Sequence, residues 1–226
     1  MLDKDWRFLY RKYSAKITGR RKDGGFKWDN SLFVPQRHEK SLESVILRPG
    51  SCFVDIGANV GRWSIPASEY YSSVVAFEAN PRTAKVLRKN VKMNRVRNLT
   101  VHDCALSDSD GKKLLFIYDG IGHDSFSSEH LGLKSSGESI KIETRTLDDF
   151  QLDPSLIKID AEGAEIPILM GSLKTVHPCR PALLVVECHL PGDDEKVKFM
   201  LPEYSFESVI LYLPSQVPTL IGQPRT

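Results

Sequence analysis

No run of apolar residues in this 226-residue chain is long enough to cross a bilayer; the longest compact one is Pro181-Ala-Leu-Leu-Val-Val186. The opening MLDKDWRFLYRKYS lacks the uninterrupted apolar segment of a secretory signal. These two absences predict a cytoplasmic protein without a membrane span. Cysteine is scarce: Cys52, Cys104, Cys179 and Cys188 show no close paired spacing, which argues against a disulfide framework, a zinc site or a redox pair. Cys52, Cys104 and Cys188 fall in or beside predicted strands, where free thiols are commonly buried. A strong charge of either sign is missing too, since 31 basic residues against 29 acidic ones leave +2. Bulk charge therefore points to no polyanionic partner. There is no G-x-x-x-x-G-K-[ST] phosphate loop and no G-x-S-x-G nucleophile turn.

What is present is an ordinary globular composition, 41% apolar and 27% charged, with an alternation of short apolar strands and helical patterns. The spacing predicts a helix over 37–48, ended by Pro49-Gly50, and a strand over 51–56. A helix over about 60–70 follows, with Pro66 inside it, then a strand over 73–77 and a helix opened by Asn80-Pro81. Further strands are expected at 99–103, 112–118, 140–146, 156–159 and 182–186, with helices at about 164–173 and 194–201. Residues 206–213 read as the final strand, and the tail from Pro214 has three prolines and no clear periodicity. Such alternation argues for an α/β domain with a mostly parallel sheet spanning 37–226, preceded by an arm over 1–36. The polar stretch 119–139 reads as an inserted lid or binding loop rather than a domain boundary.

The most informative local pattern is Phe53-Val-Asp-Ile-Gly-Ala-Asn-Val-Gly61. Asp55 closes a buried strand, Gly57 permits a tight turn, and Gly61 permits close approach at the next helix. In an open α/β sheet this is where a ligand sits, beyond the carboxyl ends of the strands. The turn is not G-x-G-x-x-G, so a dinucleotide is not indicated. Glu78 ends the next strand, 21 residues after Gly57, where a carboxylate can accept both hydroxyl protons of an adenosine ribose. Asn80 orients that loop or caps the helix at Pro81. The plainer reading of Asp55 and Glu78 is helix capping or a surface turn.

Five ordered segments, FVDIGANVGRWS, VVAFEANPRTAKVLRKNVKMN, VHDCALSDSDG, TRTLDDF and LIKIDAEGAEIPILMG, together resemble the FkbM-type methyltransferases over roughly residues 50–190. The resemblance implies a class I, Rossmann-like fold: a seven-stranded mostly parallel sheet with flanking helices and a last strand antiparallel to its neighbours. It implies S-adenosyl-L-methionine as cofactor and, in many members, a hydroxyl of a glycan or natural product as acceptor. Carried onto this chain, Asp55, Gly57, Asn59 and Gly61 would surround the methionine part, Glu78 with Asn80 the ribose, and Asp103, Cys104 and Ala105 the adenine. Where the family has Glu-Pro-Asn, this chain has Glu78-Ala79-Asn80-Pro81.

Chemistry is expected at Lys158-Ile-Asp160-Ala-Glu162-Gly-Ala-Glu165. Asp160 should lie at the cleft edge near the transferring methyl, with Glu162 as its partner or a metal ligand. A carboxylate there can orient a hydroxyl and accept its proton. Glu165 also suits a helix N-terminus for purely electrostatic reasons. Strand alternation is taken to point Lys158 the other way. Glu187 and His189 end the next strand as the family's Glu-x-His element, with His189 a proton acceptor at neutral pH or a supporting residue. His123, Asp124 and Ser125, in the 119–139 loop, together with Glu187 are candidates for acceptor binding. No dedicated metal site is expected, although His123 and Asp124 with Asp160 offer one arrangement.

The arm carries nine basic residues against three acidic ones over 1–28, interleaved with Trp6, Phe8, Tyr10, Tyr13 and Trp28. It reads either as packing on the body or as a site that holds RNA by phosphate contact and stacking. The amine-methylating signature Asn/Asp-Pro-Pro-Tyr/Phe is absent after the 156–159 strand, which favours an oxygen acceptor. The leading expectation is thus O-methylation of a sugar hydroxyl, on a glycan or small glycosylated metabolite. A ribose 2′-hydroxyl of RNA is the alternative enzyme, and a non-catalytic binding protein on the same fold the alternative class.

Overall fold

The structure is a computed structural model and describes residues 40–118, 124–127, 135–179, 181–210 and 218–225. The expected arm over 1–36 lies outside the described residues, as do His123 and much of the 119–139 loop. Helix α1 (Lys40–Ile46) leads into strand β1 (Gly50–Ile56), and a short helix α2 (Ser64–Ala67) precedes β2 (Tyr71–Phe77). Helix α3 (Pro81–Met93) is followed by β3 (Leu99–His102), β4 (Ala105–Leu106), β5 (Gly111–Tyr118) and β6 (Ser135–Arg145). A 3₁₀ turn at Leu147–Phe150 precedes β7 (Leu156–Ile159), and helices α4 (Glu165–Met170) and α5 (Leu173–Cys179) lie between β7 and β8 (Leu183–Glu187). Helix α6 (Asp193–Met200), β9 (Tyr204–Ile210) and β10 (Pro218–Pro224) complete the chain.

The main sheet has seven strands in the order β3-β2-β1-β7-β8-β10-β9. Its first five strands are mutually parallel, and β10 runs antiparallel to both β8 and β9. Parallel strands covered on both faces need apolar residues at successive positions, and β1, β7 and β8 have them. Val54, Ile56, Ile157, Ile159, Leu184 and Val186 pack on one side with Ile168, Leu169, Val176 and Val197 from the helices. Phe53, Leu156, Leu183 and Val185 pack on the other with Leu42, Ile46, Trp63 and Ala67. Helix α3 starts where the sequence places it: Asn80 accepts the Arg82 N–H at 2.9 Å, and Pro81 occupies the first turn, where its missing N–H costs nothing. No helix among the described residues is long and apolar enough to cross a membrane.

Four expectations need correction. The helix expected over 60–70 is only Ser64–Ala67, because residues 58–63 form the turn after β1. The helix expected over 164–173 ends at Met170, and a second one starts at Leu173 after Gly171-Ser172. Strands β5 and β6 form a separate three-stranded sheet with β4, and residues 135–139 belong to β6 rather than to the loop. The final strand is β10, from the proline-containing tail. It pairs with two neighbours because its prolines stand only at the strand's ends, where few ladder hydrogen bonds are lost.

Gly171 explains the break between α4 and α5. A Cβ there would lie 2.0 Å from the carbonyl oxygen of Ser107, and the Gly171 carbonyl accepts the Asp148 N–H at 3.1 Å. Backbone meets backbone, so neither side can yield by a rotamer change. Gly171→Ala should therefore destabilise the fold by about 1–3 kcal/mol in calorimetric unfolding. Gly111→Ala, whose Cβ meets only Thr144 Oγ1 at 3.6 Å, should change stability by less than about 0.5 kcal/mol.

Candidate active site

Because β1, β2, β7 and β8 are parallel, their carboxyl ends meet at one edge of the sheet, and the chain turns there carry the polar groups. The turn after β1 is pressed against the turn after β7. A Cβ at Gly57 would stand 1.7 Å from the Asp160 carbonyl oxygen, and Gly57 has φ +76°. Only glycine meets both conditions. The Asp160 N–H donates to Ile56 O at 3.1 Å, which fixes the two turns in register. Gly61 lets the chain pass close to Leu87 and Ile65.

Glu78 follows β2 and is held at both oxygens. Oε2 accepts the Asn59 N–H at 2.8 Å and Oε1 accepts the Asn80 N–H at 2.9 Å. Burial pushes its pKa up to about 7; those two N–H donors pull it down, and the charges of Asp124 and Asp55 push it further up. Asn80 also donates through Nδ2 to Asp124 Oδ2 at 2.7 Å, while Asp124 Oδ1 accepts the Tyr118 N–H at 3.3 Å. Ser125 Oγ donates to the Glu162 carbonyl at 2.7 Å. The described part of the inserted loop is therefore tied both to Asn80, beside Glu78, and to the acidic turn.

Lys158 is not turned away. Residues 158 and 160 are two apart and share a face of the strand, the reverse of the expectation above. Lys158 is 1% exposed, with Nζ 2.8 Å from Asp160 Oδ2, and lies in register with Asp55 on β1. Burial alone would lower the pKa of this lysine, but Asp160, Glu187 and Asp55 outweigh it and hold the group above its ordinary value. Asp55 is itself completely buried; it accepts a hydrogen bond from Ser64 Oγ, and burial raises its pKa against the opposing pull of Lys158.

His189 is enclosed by carboxylates. Its Nδ1 is 2.8 Å from Glu165 Oε1, and its Nε2 is 3.6 Å from Glu162 Oε2 and 3.7 Å from Asp160 Oδ1. Burial disfavours the imidazolium, but the Glu165 hydrogen bond and the charges of Glu162 and Asp160 raise the pKa to about 10. The same three carboxylates therefore favour the protonated ring, which suits the supporting role of His189 better than that of a proton acceptor. Glu165, fully buried, accepts three contacts at Oε1: His189 and the N–H groups of Ala161 and Gly163 at 3.1 and 3.2 Å. It shapes the turn in which Glu162 adopts φ +51°.

Around the cleft stand Gly57, Asn59, Glu78, Thr83, Cys104, Ala105, Leu115, Asp124, Phe126, Asp160 and Glu162, among others. Asp55, Lys158, Glu165 and His189 support it from beneath and beside. Asp103 is not among the lining residues: it is half exposed and pairs with Arg88 at 3.0 Å. Cys104 lines the cleft as a free thiol whose pKa burial pushes up to about 11, so it contributes as a neutral surface. Asn80 acts through Glu78 and Asp124, and Glu187 through the charge of Lys158. The chain alone turned Lys158 away from the cleft and gave Glu165 a favourable charge at a helix start without its partner. The i, i+2 spacing of Lys158 and Asp160 was a usable signal for the first; the contact of Glu165 with His189, 24 residues on, has no local signal.

The description "Methyltransferase FkbM domain" matches residues 55–217. The chain belongs to the FkbM methyltransferase family. Methyltransferase 1 of Beauveria bassiana (strain ARSEF 2860) is 26% identical to this FkbM methyltransferase over 180 residues, 69% of this chain and 72% of that one. Among solved structures, precorrin-6y C5,15-methyltransferase from Geobacter metallireducens GS-15 superposes with a TM-score of 0.54 at 17% identity, covering 88% of this chain and 94% of that one. The tRNA (uracil-54, C5)-methyltransferase of Pyrococcus abyssi, solved in complex with S-adenosyl-L-homocysteine, gives 0.51 at 14% identity, covering 88% of this chain and 42% of that one. At such identities these structures establish the class I methyltransferase fold.

Removing one partner of a buried charge set leaves the others without compensation. Lys158→Met should therefore cost about 3–5 kcal/mol in urea unfolding at neutral pH, well above the typical loss for a single substitution.

Proposed function

We propose that this FkbM methyltransferase transfers the methyl group of S-adenosyl-L-methionine to a sugar hydroxyl, on a glycan or small glycosylated metabolite. The residues present suit the cofactor. Glu78, with each oxygen fixed by a backbone N–H, is positioned to accept ribose hydroxyl protons. Asn59 has a buried Oδ1 with no hydrogen-bond partner, available to a ligand amine beside the Gly57 turn. Cys104, Ala105, Leu115 and Phe126 give an apolar wall of the kind a base packs against. The bound cofactor supplies an electrophilic methyl group on a sulfonium.

The acceptor side rests on one observation: Asp160 and Glu162 line the same cleft as Glu78, with Asp160 anchored through Oδ2 by a buried lysine. An oxygen nucleophile needs orientation and a place for its proton, and a fixed carboxylate provides both. Asp124, Asp160 and Glu162 together present hydrogen-bond acceptors toward the cleft, which suits an acceptor rich in hydroxyl donors. The same anionic lining opposes a phosphate backbone, which favours a sugar over the ribose of RNA. Any contribution of residues 1–28 to RNA binding lies outside the described residues.

Two outcomes test this reading. Labelled methyl transferred into a lysate depleted of the endogenous protein should resist ribonuclease and be released by glycan hydrolysis. Ribonuclease-released label would overturn the sugar reading in favour of ribose. Asp160→Asn should lower kcat by about 10²–10⁴-fold while leaving S-adenosylhomocysteine affinity nearly unchanged. On the cofactor side, only ionised Glu78 accepts both ribose hydroxyls. With its pKa about 7, S-adenosylhomocysteine should bind about tenfold more tightly at pH 8 than at pH 6. Glu78→Gln should bind weakly and without that slope, as read by titration calorimetry.

A further inference from the structure

The acceptor side of the cleft contains a second kind of chemistry that hydroxyl orientation does not require. His189 Nε2, Asp160 Oδ1 and Glu162 Oε2 converge so that one ligating atom from each lies within 4.8 Å of the others. The two separations from Nε2, 3.6 and 3.7 Å, exceed hydrogen-bonding distance. Neighbouring donors bound to one cation at about 2.0–2.2 Å stand roughly 3–3.6 Å apart, so the two separations from Nε2 are close to what a shared ion needs, and the two carboxylates would have to close only within the 4.8 Å that bounds the set. We propose that Asp160, Glu162 and His189 form a divalent-cation site at the acceptor end of the cleft.

Two observations beyond the three ligands support it. The first is Glu165, which meets the other ring nitrogen, Nδ1, at 2.8 Å. With the Nδ1–H donating to this carboxylate, the Nε2 lone pair is directed at the other two acids, the arrangement that orients metal-binding histidines. Glu165 is itself locked by the Ala161 and Gly163 N–H groups, so the ring orientation is built in before any ion arrives. The second is that Glu165 Oε2 is buried with no hydrogen-bond partner. A buried polar oxygen without a hydrogen bond is costly, so Glu165 leaves a place beside the cluster for a further donor or positive group.

The charge balance points the same way. Asp160, Glu162 and Glu165 face one imidazole, with Lys158 engaged at Asp160. A dication at the point where Asp160, Glu162 and His189 converge would be held by the field of these carboxylates. One imidazole and two carboxylates suit Mn²⁺, Fe²⁺ or Zn²⁺ better than a thiolate-seeking ion, and leave coordination positions open toward the cleft. A cation there would stand where an ionising acceptor hydroxyl needs positive charge. That catalytic consequence rests on the proposed O-methyl transfer; the binding of the ion does not.

The test uses the full chain without cofactor or acceptor, so it is independent of the proposed reaction. Titration with Mn²⁺, followed by loss of the free-ion electron paramagnetic resonance signal, should show one ion per chain with a Kd below about 1 mM. Asp160→Asn and Glu162→Gln should each weaken binding at least tenfold, and Glu165→Gln by about 10–100-fold. Glu69→Gln, on the exposed surface, should not change it. In the unaltered protein, sub-stoichiometric Mn²⁺ should broaden the His189 ring resonances before those of His102 and His177. Absence of binding at 1 mM, binding insensitive to Asp160→Asn and Glu162→Gln, or unbroadened His189 signals would each overturn the proposal.

Discussion

A lysine ammonium group buried in the middle of a parallel sheet can exist only among anions, and the cleft of this methyltransferase is organised around that requirement. Lys158 sits on β7 between Asp55 on β1 and Glu187 at the end of β8, with Asp160 two residues along its own strand. Desolvation of such a charge is expensive, and it is offset only if the carboxylates are close and fixed. Asp55 therefore stands opposite Lys158 on β1, while Asp160 and Glu187 lie two positions further on, at the ends of β7 and β8. Asp160, anchored by Lys158 through one oxygen, keeps the other for the cleft.

The second organising element is the contact between the two turns. Gly57 passes so close to the Asp160 carbonyl that no side chain fits between them. The half of the cleft that carries Glu78 and the half that carries Asp160 and Glu162 are consequently held at a fixed spacing. Methyl transfer depends on alignment of donor and acceptor, and on the proposed reading of the cleft this rigid spacing serves that need. The described segment 124–127 joins the halves from above, through Asp124 to Asn80 and Ser125 to the Glu162 carbonyl.

His189 and Glu165 illustrate how environment decides the role of a residue. A histidine at the end of a strand reads as a proton acceptor or a supporting residue when seen alone. Enclosed by Glu165, Glu162 and Asp160, the same ring has its pKa raised against the opposing effect of burial. Glu165 reads as a favourable charge at a helix start, and in the fold it is the completely buried residue that fixes both the turn and the ring.

Much of the architecture was legible from the chain alone. Runs of buried β-branched residues marked β1, β7 and β8, Asn80-Pro81 marked the start of α3, and the ordered motifs identified the family. These are local or short-range signals, and burial on both faces of a parallel sheet leaves a plain trace in composition. The path of the tail was not legible, because β10 takes its order from β8 and β9 rather than from its own propensities. Nor were the three-stranded side sheet or the break at Gly171, which depend on backbone approach across the fold. The sequence by itself determined which acids and glycines stand at strand ends. Tertiary structure alone decided which of them share a charge, because pKa values and ligand geometry depend on distances between strands remote in the chain.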